Sequence, residues 1–193
     1  MARIETWFPT AIYIEDNLFD SKQNSTWILK SEEIMQEYPT GGDEWQGDTY
    51  TTHSTEYNVL KDISFEPLIN EVTKHVNHFA ALHNSKRKFL CEGAWLNIAR
   101  PGNFQEFHCH NGSTISAVYY IKTPLGSGDI VFEDPREPDM LPIPDIYDRN
   151  SLSFIKTGYP AIAGTLLIFR SYLRHMVMKG TNTESRISIA LNF

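Results

Sequence analysis

The feature that most constrains this chain is a change in the spacing of its apolar residues near Cys91. Before that point they recur at steps of three and four. Leu68, Ile69, Val72, Val76, Phe79 and Ala80 mark one face of a helix expected over 66–83. A second helix is expected around Trp27, Ile28, Leu29, Ile34 and Met35. It should stop at Tyr38-Pro39, because the proline ring crowds the preceding residue out of helical geometry. After Cys91 the period is two. Trp95, Asn97 and Ala99 alternate with Leu96 and Ile98, and Ile115, Ala117, Tyr119 and Ile121 alternate with Ser116, Val118 and Tyr120. Further short strands are expected at 130–132, 166–169 and 187–193, separated by Pro, Gly and Asn, with one more where Ile12 and Ile14 flank Tyr13. The expected class is mainly β with added helices, its short strands closing into a barrel or sandwich.

The 193 residues contain no repeat and no Gly/Ser/Pro linker, so one domain over 1–193 is expected, with 1–90 an embellishment on a core at 91–193. Two polar or proline-rich stretches, 40–58 and 134–160, read as loops and as candidates for a substrate mouth. A net charge of −7 with scattered basic residues argues against a nucleic-acid or anionic-membrane surface. No apolar run approaches the roughly 18 residues that cross a bilayer. The start, MARIETWFPTAIYIED, lacks the basic-then-apolar pattern of a secretion signal. Cys91 and Cys109 are too few for a disulfide framework, which makes a reducing cytoplasm the expected compartment.

The chemistry-bearing residues fall in the β-rich half. His108 and His110, in EFHCH, project to one face if they lie on a strand, with Cys109 a buried small side chain on the other. Two imidazoles on one face make a bidentate metal platform, and His175, after TLLIFRSYLR, is placed to close the site from a neighbouring strand. His53, His75, His78 and His83 read as surface or satisfied core residues. Near the C-terminus Ile187, Ile189, Leu191 and Phe193 share one face, while Arg186, Ser188 and Asn192 share the other. A guanidinium on a strand built for a core needs a partner to offset its desolvation, and a bound carboxylate suits it, with a nearby hydroxyl adding a hydrogen bond. Trp95, Asn97, Ser116 and Tyr120 are lesser candidates. No set of four Cys/His residues suggests structural zinc.

The segments AWLNIARPGN, FHCHNGSTISAVYYIKTP, SGDIVFEDPR, GTLLIFRSYLRHMV and SRISIALNF, in that order, resemble a family of 2-oxoglutarate/iron(II) oxygenases known mainly from bacterial and phage genomes. The resemblance implies a double-stranded β-helix, or jelly roll, with iron(II) at one mouth. It implies His108 and His175 as iron ligands, Arg186 as the anchor for the 2-oxoglutarate C5-carboxylate, and Ser188 as its hydrogen-bonding neighbour. Asn97 is a candidate for a hydrogen bond to 2-oxoglutarate or to a metal-bound water.

One position departs from the wider superfamily, where the residue two after the first histidine is usually acidic, completing two histidines and a carboxylate. Here it is His110. Either His110 is the third ligand, which its shared face with His108 favours, or Glu106, Asp129, Glu133 or Asp134 approaches instead. The expected reaction couples oxidation of an unidentified substrate (a small metabolite, a peptide side chain or a modified nucleotide, with bulk nucleic acid least favoured by the acidic balance), most simply a hydroxylation, to decarboxylation of 2-oxoglutarate. Two other readings stand beside it. One is a cupin-like three-histidine dioxygenase without 2-oxoglutarate, which leaves Arg186 unexplained; the other is a non-catalytic jelly-roll binding or structural protein. A homodimer through edge strands or added helices is compatible with all three.

Overall fold

The computed structural model describes residues 2–41, 45–136 and 144–193. Among the described residues, ten strands and two long helices follow in chain order: β1 (Ile12–Glu15), α1 (Ser21–Glu37), β2 (Tyr50–Thr51), α2 (Glu66–Leu82), β3 (Gly93–Ala99), β4 (Gln105–His108), β5 (Ile115–Lys122), β6 (Ile130–Glu133), β7 (Lys156–Tyr159), β8 (Leu166–Arg170), β9 (His175–Val177) and β10 (Arg186–Asn192). They form two antiparallel sheets. The larger runs β1-β8-β5-β10-β3-β2 and the smaller β4-β9-β6-β7. This is the jelly-roll arrangement, with the neighbours in each sheet drawn from distant parts of the chain.

Both helices form where the apolar spacing places them. The Asp20 carboxylate accepts from the Gln23 N–H at 2.8 Å and so satisfies one of the free donors at the start of α1. That helix ends at Tyr38, whose backbone turns away from helical geometry before Pro39. The helices lie on the outer face of the larger sheet, where the main core assembles. Trp27, Phe65, Leu68, Val72 and Val76 from the helical half meet Leu96, Tyr119, Ile168, Ile189 and Leu191 from the strands, each fully or almost fully buried.

Alternation divides each central strand between this core and the interior between the sheets. On β8, Leu166 and Ile168 join the helix-side core, while Leu167 and Phe169 join a smaller inner cluster with Tyr120, Ile130, Phe132 and Leu173. On β10, Ile187, Ile189 and Leu191 face the helices, and Arg186, Ser188 and Asn192 face inward.

Two segments expected to be loops are partly ordered. In 40–58, β2 pairs Tyr50 with Ile98 and Thr51 with Asn97, and Thr52–Ser54 form a 3₁₀ turn. In 134–160, β7 pairs along β6, Ile130 opposite Tyr159 and Glu133 opposite Lys156. Both strands are too short to show periodicity, and the partner strand supplies their order. Residues 42–44 and 137–143 of these stretches lie outside the described residues. Among the described residues, no helix is long and apolar enough to cross a membrane.

Candidate active site

The inward faces of the two sheets enclose a cavity of about 320 Å³. At one end stand His108, the last residue of β4, His175, the first of β9, and His110, just beyond β4. His108 and His175 are directly paired across the β4–β9 ladder. One ligand-capable nitrogen from each of the three imidazoles lies within 4.8 Å of the other two. The His108 and His110 rings stack at 5.5 Å and 16°.

His110 reaches this position by a different route from the one its spacing suggests. The strand ends at His108, and the His110 backbone N–H instead donates to the Ser171 carbonyl at 3.0 Å. Consequently Cys109 is not the buried side chain expected from alternation; it is partly exposed at the cavity rim.

Each imidazole is oriented through Nδ1. His108 Nδ1 lies 2.7 Å from the Glu106 carbonyl, His175 Nδ1 2.9 Å from the Leu173 carbonyl, and His110 Nδ1 2.7 Å from Asn192 Oδ1. Carbonyl oxygens only accept, so the nitrogens facing them carry the protons, and each Nε2 keeps its lone pair. Burial holds all three rings in the neutral form. It depresses the His108 pKa below the ordinary histidine value, that of His110 to about 4 and that of His175 to about 3. Three neutral nitrogen donors suit a divalent first-row metal such as iron(II), with no proton to displace at neutral pH.

Three of the four acidic alternatives to His110 have partners elsewhere, although Glu106 Oε2 is buried without one. Glu133 pairs with Arg174 at 3.1 Å, Asp134 pairs with Arg136, and Glu106 accepts from the Gln46 N–H at 2.7 Å. Among the described residues, neither they nor Asp129 belongs to the group around His108 and His175.

Arg186 stands in the same cavity. It is 3% exposed, its guanidinium is 5.8 Å from the Tyr120 ring centre, and NH1 donates to the Gly128 carbonyl at 3.2 Å. A side chain on Gly128 would collide with the Met178 carbonyl, so the close approach that sets this acceptor requires glycine. Among the described residues Arg186 has no carboxylate partner, and its Nε has no hydrogen bond. Burial lowers its pKa from the ordinary arginine value, though a guanidinium stays charged in proteins. Asn97, 5% exposed, lies beside it on β3, opposite Ser188 in the ladder, and its Oδ1 is also unpartnered. A buried cation with unmet donor capacity suits a carboxylate ligand, whereas the Asn97 Oδ1 only accepts and suits a hydroxyl, a water or another donor in the same cavity.

The structure therefore brings His108, His110, His175, Arg186, Ser188 and Asn97 to one cavity. Tyr120 lines it, Ser116 is buried behind His110 with Oγ 2.9 Å from its Nδ1, and Trp95 is 5.4 Å from His110. Sequence reasoning passed over Trp45, whose ring is 4.7 Å from His108; His53, read as a surface or satisfied core residue, is indeed exposed, and it also lines the cavity rim 5.1 Å from Trp95. Both belong to the polar 40–58 stretch, whose role as a candidate mouth was the single available signal.

A jelly roll carrying a three-imidazole cluster and an isolated buried arginine has the form of a mononuclear non-haem metal enzyme that takes an anionic co-substrate. Residues 93–192, just over half the chain, match the family described as "Putative 2OG-Fe(II) oxygenase", and the chain belongs to that family. It is an iron(II)- and 2-oxoglutarate-dependent oxygenase. No curated protein matches by sequence.

Several solved structures share the fold. A prolyl-4-hydroxylase from Pseudomonas putida is 11% identical with a TM-score of 0.61, the match covering 95% of this chain and 92% of that one. The alpha-ketoglutarate-dependent epimerase SnoN of nogalamycin biosynthesis is 11% identical with a TM-score of 0.65, over 94% and 75%. The collagen prolyl hydroxylase of Paramecium Bursaria Chlorella virus-1 is 13% identical with a TM-score of 0.55, over 93% and 94%.

Proposed function

We propose that His108, His110 and His175 hold iron(II) through Nε2, that Arg186, with Ser188 and Asn97 beside it, holds the far carboxylate of 2-oxoglutarate, and that the reaction is hydroxylation of a small molecule or peptide. The observation that carries this reading is the cavity itself: three converged neutral imidazoles at one end, and at its wall a buried arginine with an unpaired Nε and no acid partner among the described residues. When bound, iron(II) and 2-oxoglutarate supply the oxidising power, dioxygen being consumed as the co-substrate loses carbon dioxide to become succinate and a substrate C–H becomes C–OH.

The protein's own part is orientation. The Glu106 and Leu173 carbonyls fix the His108 and His175 rings, and such outer partners set both the tautomer and the basicity of a ligand. Arg186 offers a planar fork that matches a carboxylate, and its burial keeps water from competing. Inner apolar residues such as Phe132, Phe169 and Ile130 limit solvent around the imidazoles. Trp45, His53 and Trp95 form the side of the cavity through which a substrate enters. A cupin-like chemistry without 2-oxoglutarate would leave the desolvated Arg186 without a counter-ion, and a non-catalytic module would require neither group.

Anaerobic titration separates these readings. A weak visible charge-transfer band that needs both iron(II) and 2-oxoglutarate is the expected result. Iron binding indifferent to 2-oxoglutarate would overturn the role of Arg186, and no iron binding would overturn the metal centre.

A further inference from the structure

His110 differs from its two companions in what holds it. Backbone carbonyls orient His108 and His175, whereas side chains from three separate strands or turns converge behind His110. Asn192 Oδ1 is 2.7 Å and Ser116 Oγ 2.9 Å from its Nδ1. Ser116 Oγ is in turn 2.8 Å from Asn192 Oδ1 and 2.8 Å from Ser171 Oγ. Ser116 and Ser171 are fully buried, and the Ser171 carbonyl also takes the His110 backbone N–H.

One arrangement of protons satisfies the whole set. Ser171 donates to Ser116, Ser116 donates to Asn192 Oδ1, and His110 Nδ1–H donates to that same oxygen. Asn192 Oδ1 has no hydrogen to give, so the imidazole must hold its proton on Nδ1 and present a bare Nε2 to the cavity.

We propose that Asn192 and Ser116, backed by Ser171, are positioning residues that make His110 a metal ligand at the place where the wider superfamily uses a carboxylate. The inference rests on the three-imidazole reading above. A carboxylate ligand needs no tautomer control, since either oxygen can bind; an imidazole binds only through an unprotonated nitrogen pointed the right way. The hydrogen-bonded cluster supplies both conditions. It joins residues far apart in the chain, His110 to Asn192 across 82 positions and Ser116 to Ser171 across 55, so it depends on the closed fold.

The test uses the full chain, freed of metal, with iron(II) and cobalt(II) as separate anaerobic probes. Dissociation constants come from competition with a chelating dye, and the cobalt d–d bands report coordination. Asn192→Leu, which keeps the branched shape and removes the acceptor, should weaken both metals by about 10- to 100-fold and alter the cobalt bands. Asn192→Asp, which keeps an acceptor at that place, should bind within a few fold of wild type, and Ser116→Ala should weaken binding less than Asn192→Leu.

His110→Ala, measured alongside, distinguishes the two levels. If it binds metal as wild type does, the three-imidazole reading fails and this proposal with it. If it binds poorly while Asn192→Leu binds normally, the positioning role alone is overturned. A readout that needs no variant is the histidine ¹⁵N spectrum of the metal-free wild type. His110 protonated at Nδ1 and bare at Nε2 is expected, and the reverse tautomer overturns the proposal.

Discussion

The two sides of β10 differ sharply in what they face. Towards the helices, Ile187, Ile189 and Leu191 enter a core of closely packed apolar side chains. Towards the interior, Arg186, Ser188 and Asn192 line a cavity with unpaired polar atoms close by. One side removes apolar surface from water and stabilises the fold. The other places a desolvated cation and hydrogen-bonding groups where, without ligands, they oppose it. A seven-residue strand thus separates stability from function by alternation alone, and substitutions on its two sides should have separable effects.

The largest effect is expected at the metal end. His108→Ala should abolish turnover dependent on iron(II) and 2-oxoglutarate while the far-ultraviolet circular dichroism stays that of wild type. His108 is the better choice than His175, because His175 is 4% exposed and packs on Phe132 and Phe169, so its removal also leaves a void. Loss of the folded spectrum in His108→Ala would show that the histidine belongs to the stabilising side of the comparison.

Ile189→Ala acts on that other side. Ile189 is completely buried, and truncation should cost about 2–5 kcal/mol of unfolding free energy. Iron(II) affinity of the folded fraction should stay near wild type. A small stability change with a large loss of metal affinity would mean that the two faces are not separable.

A smaller effect sharpens the comparison through pH. In the metal-free protein His110 and His175 have pKa values depressed to about 4 and about 3, whereas unfolded imidazoles titrate near 6.5. Above that value both states are neutral there, and pH has no leverage through these groups. As pH falls below about 6.5, the unfolded state takes up protons that the folded state refuses, so stability declines towards pH 4. Melting temperatures across pH 8 to 4.5 should fall more steeply for the wild type than for His110→Asn, which removes one such group. Equal slopes would remove burial of these imidazoles from the account.

How much of this was legible beforehand follows the same division. Period two in 187–193 and around 95–99 and 115–121 placed the inner and outer faces of β10, β3 and β5 because alternation is local. The family resemblance rested on those same segments, and the structure brings His108, His175, Arg186, Ser188 and Asn97 into one cavity. What local pattern does not carry is closure. His110 leaves its strand because Ser171, 61 positions on by number, captures its N–H. Trp45 and His53 reach the cavity because β2, two residues long, is held by β3. Gly47 allows this segment to lie against Phe104, since any side chain there would strike the Phe104 carbonyl. None of these contacts leaves a periodic trace.

The most direct measurement is 2-oxoglutarate affinity in Arg186→Lys, set beside iron(II) affinity in the same variant. Lysine keeps the positive charge but replaces a planar fork with a single ammonium, which cannot meet a carboxylate through two parallel bonds. Binding of 2-oxoglutarate to the iron-loaded variant should weaken by roughly 10-fold or more, while iron(II) binding in its absence stays within a few fold of wild type. Equal 2-oxoglutarate affinity in wild type and variant would contradict the claim that the inner face of β10 exists to hold the co-substrate.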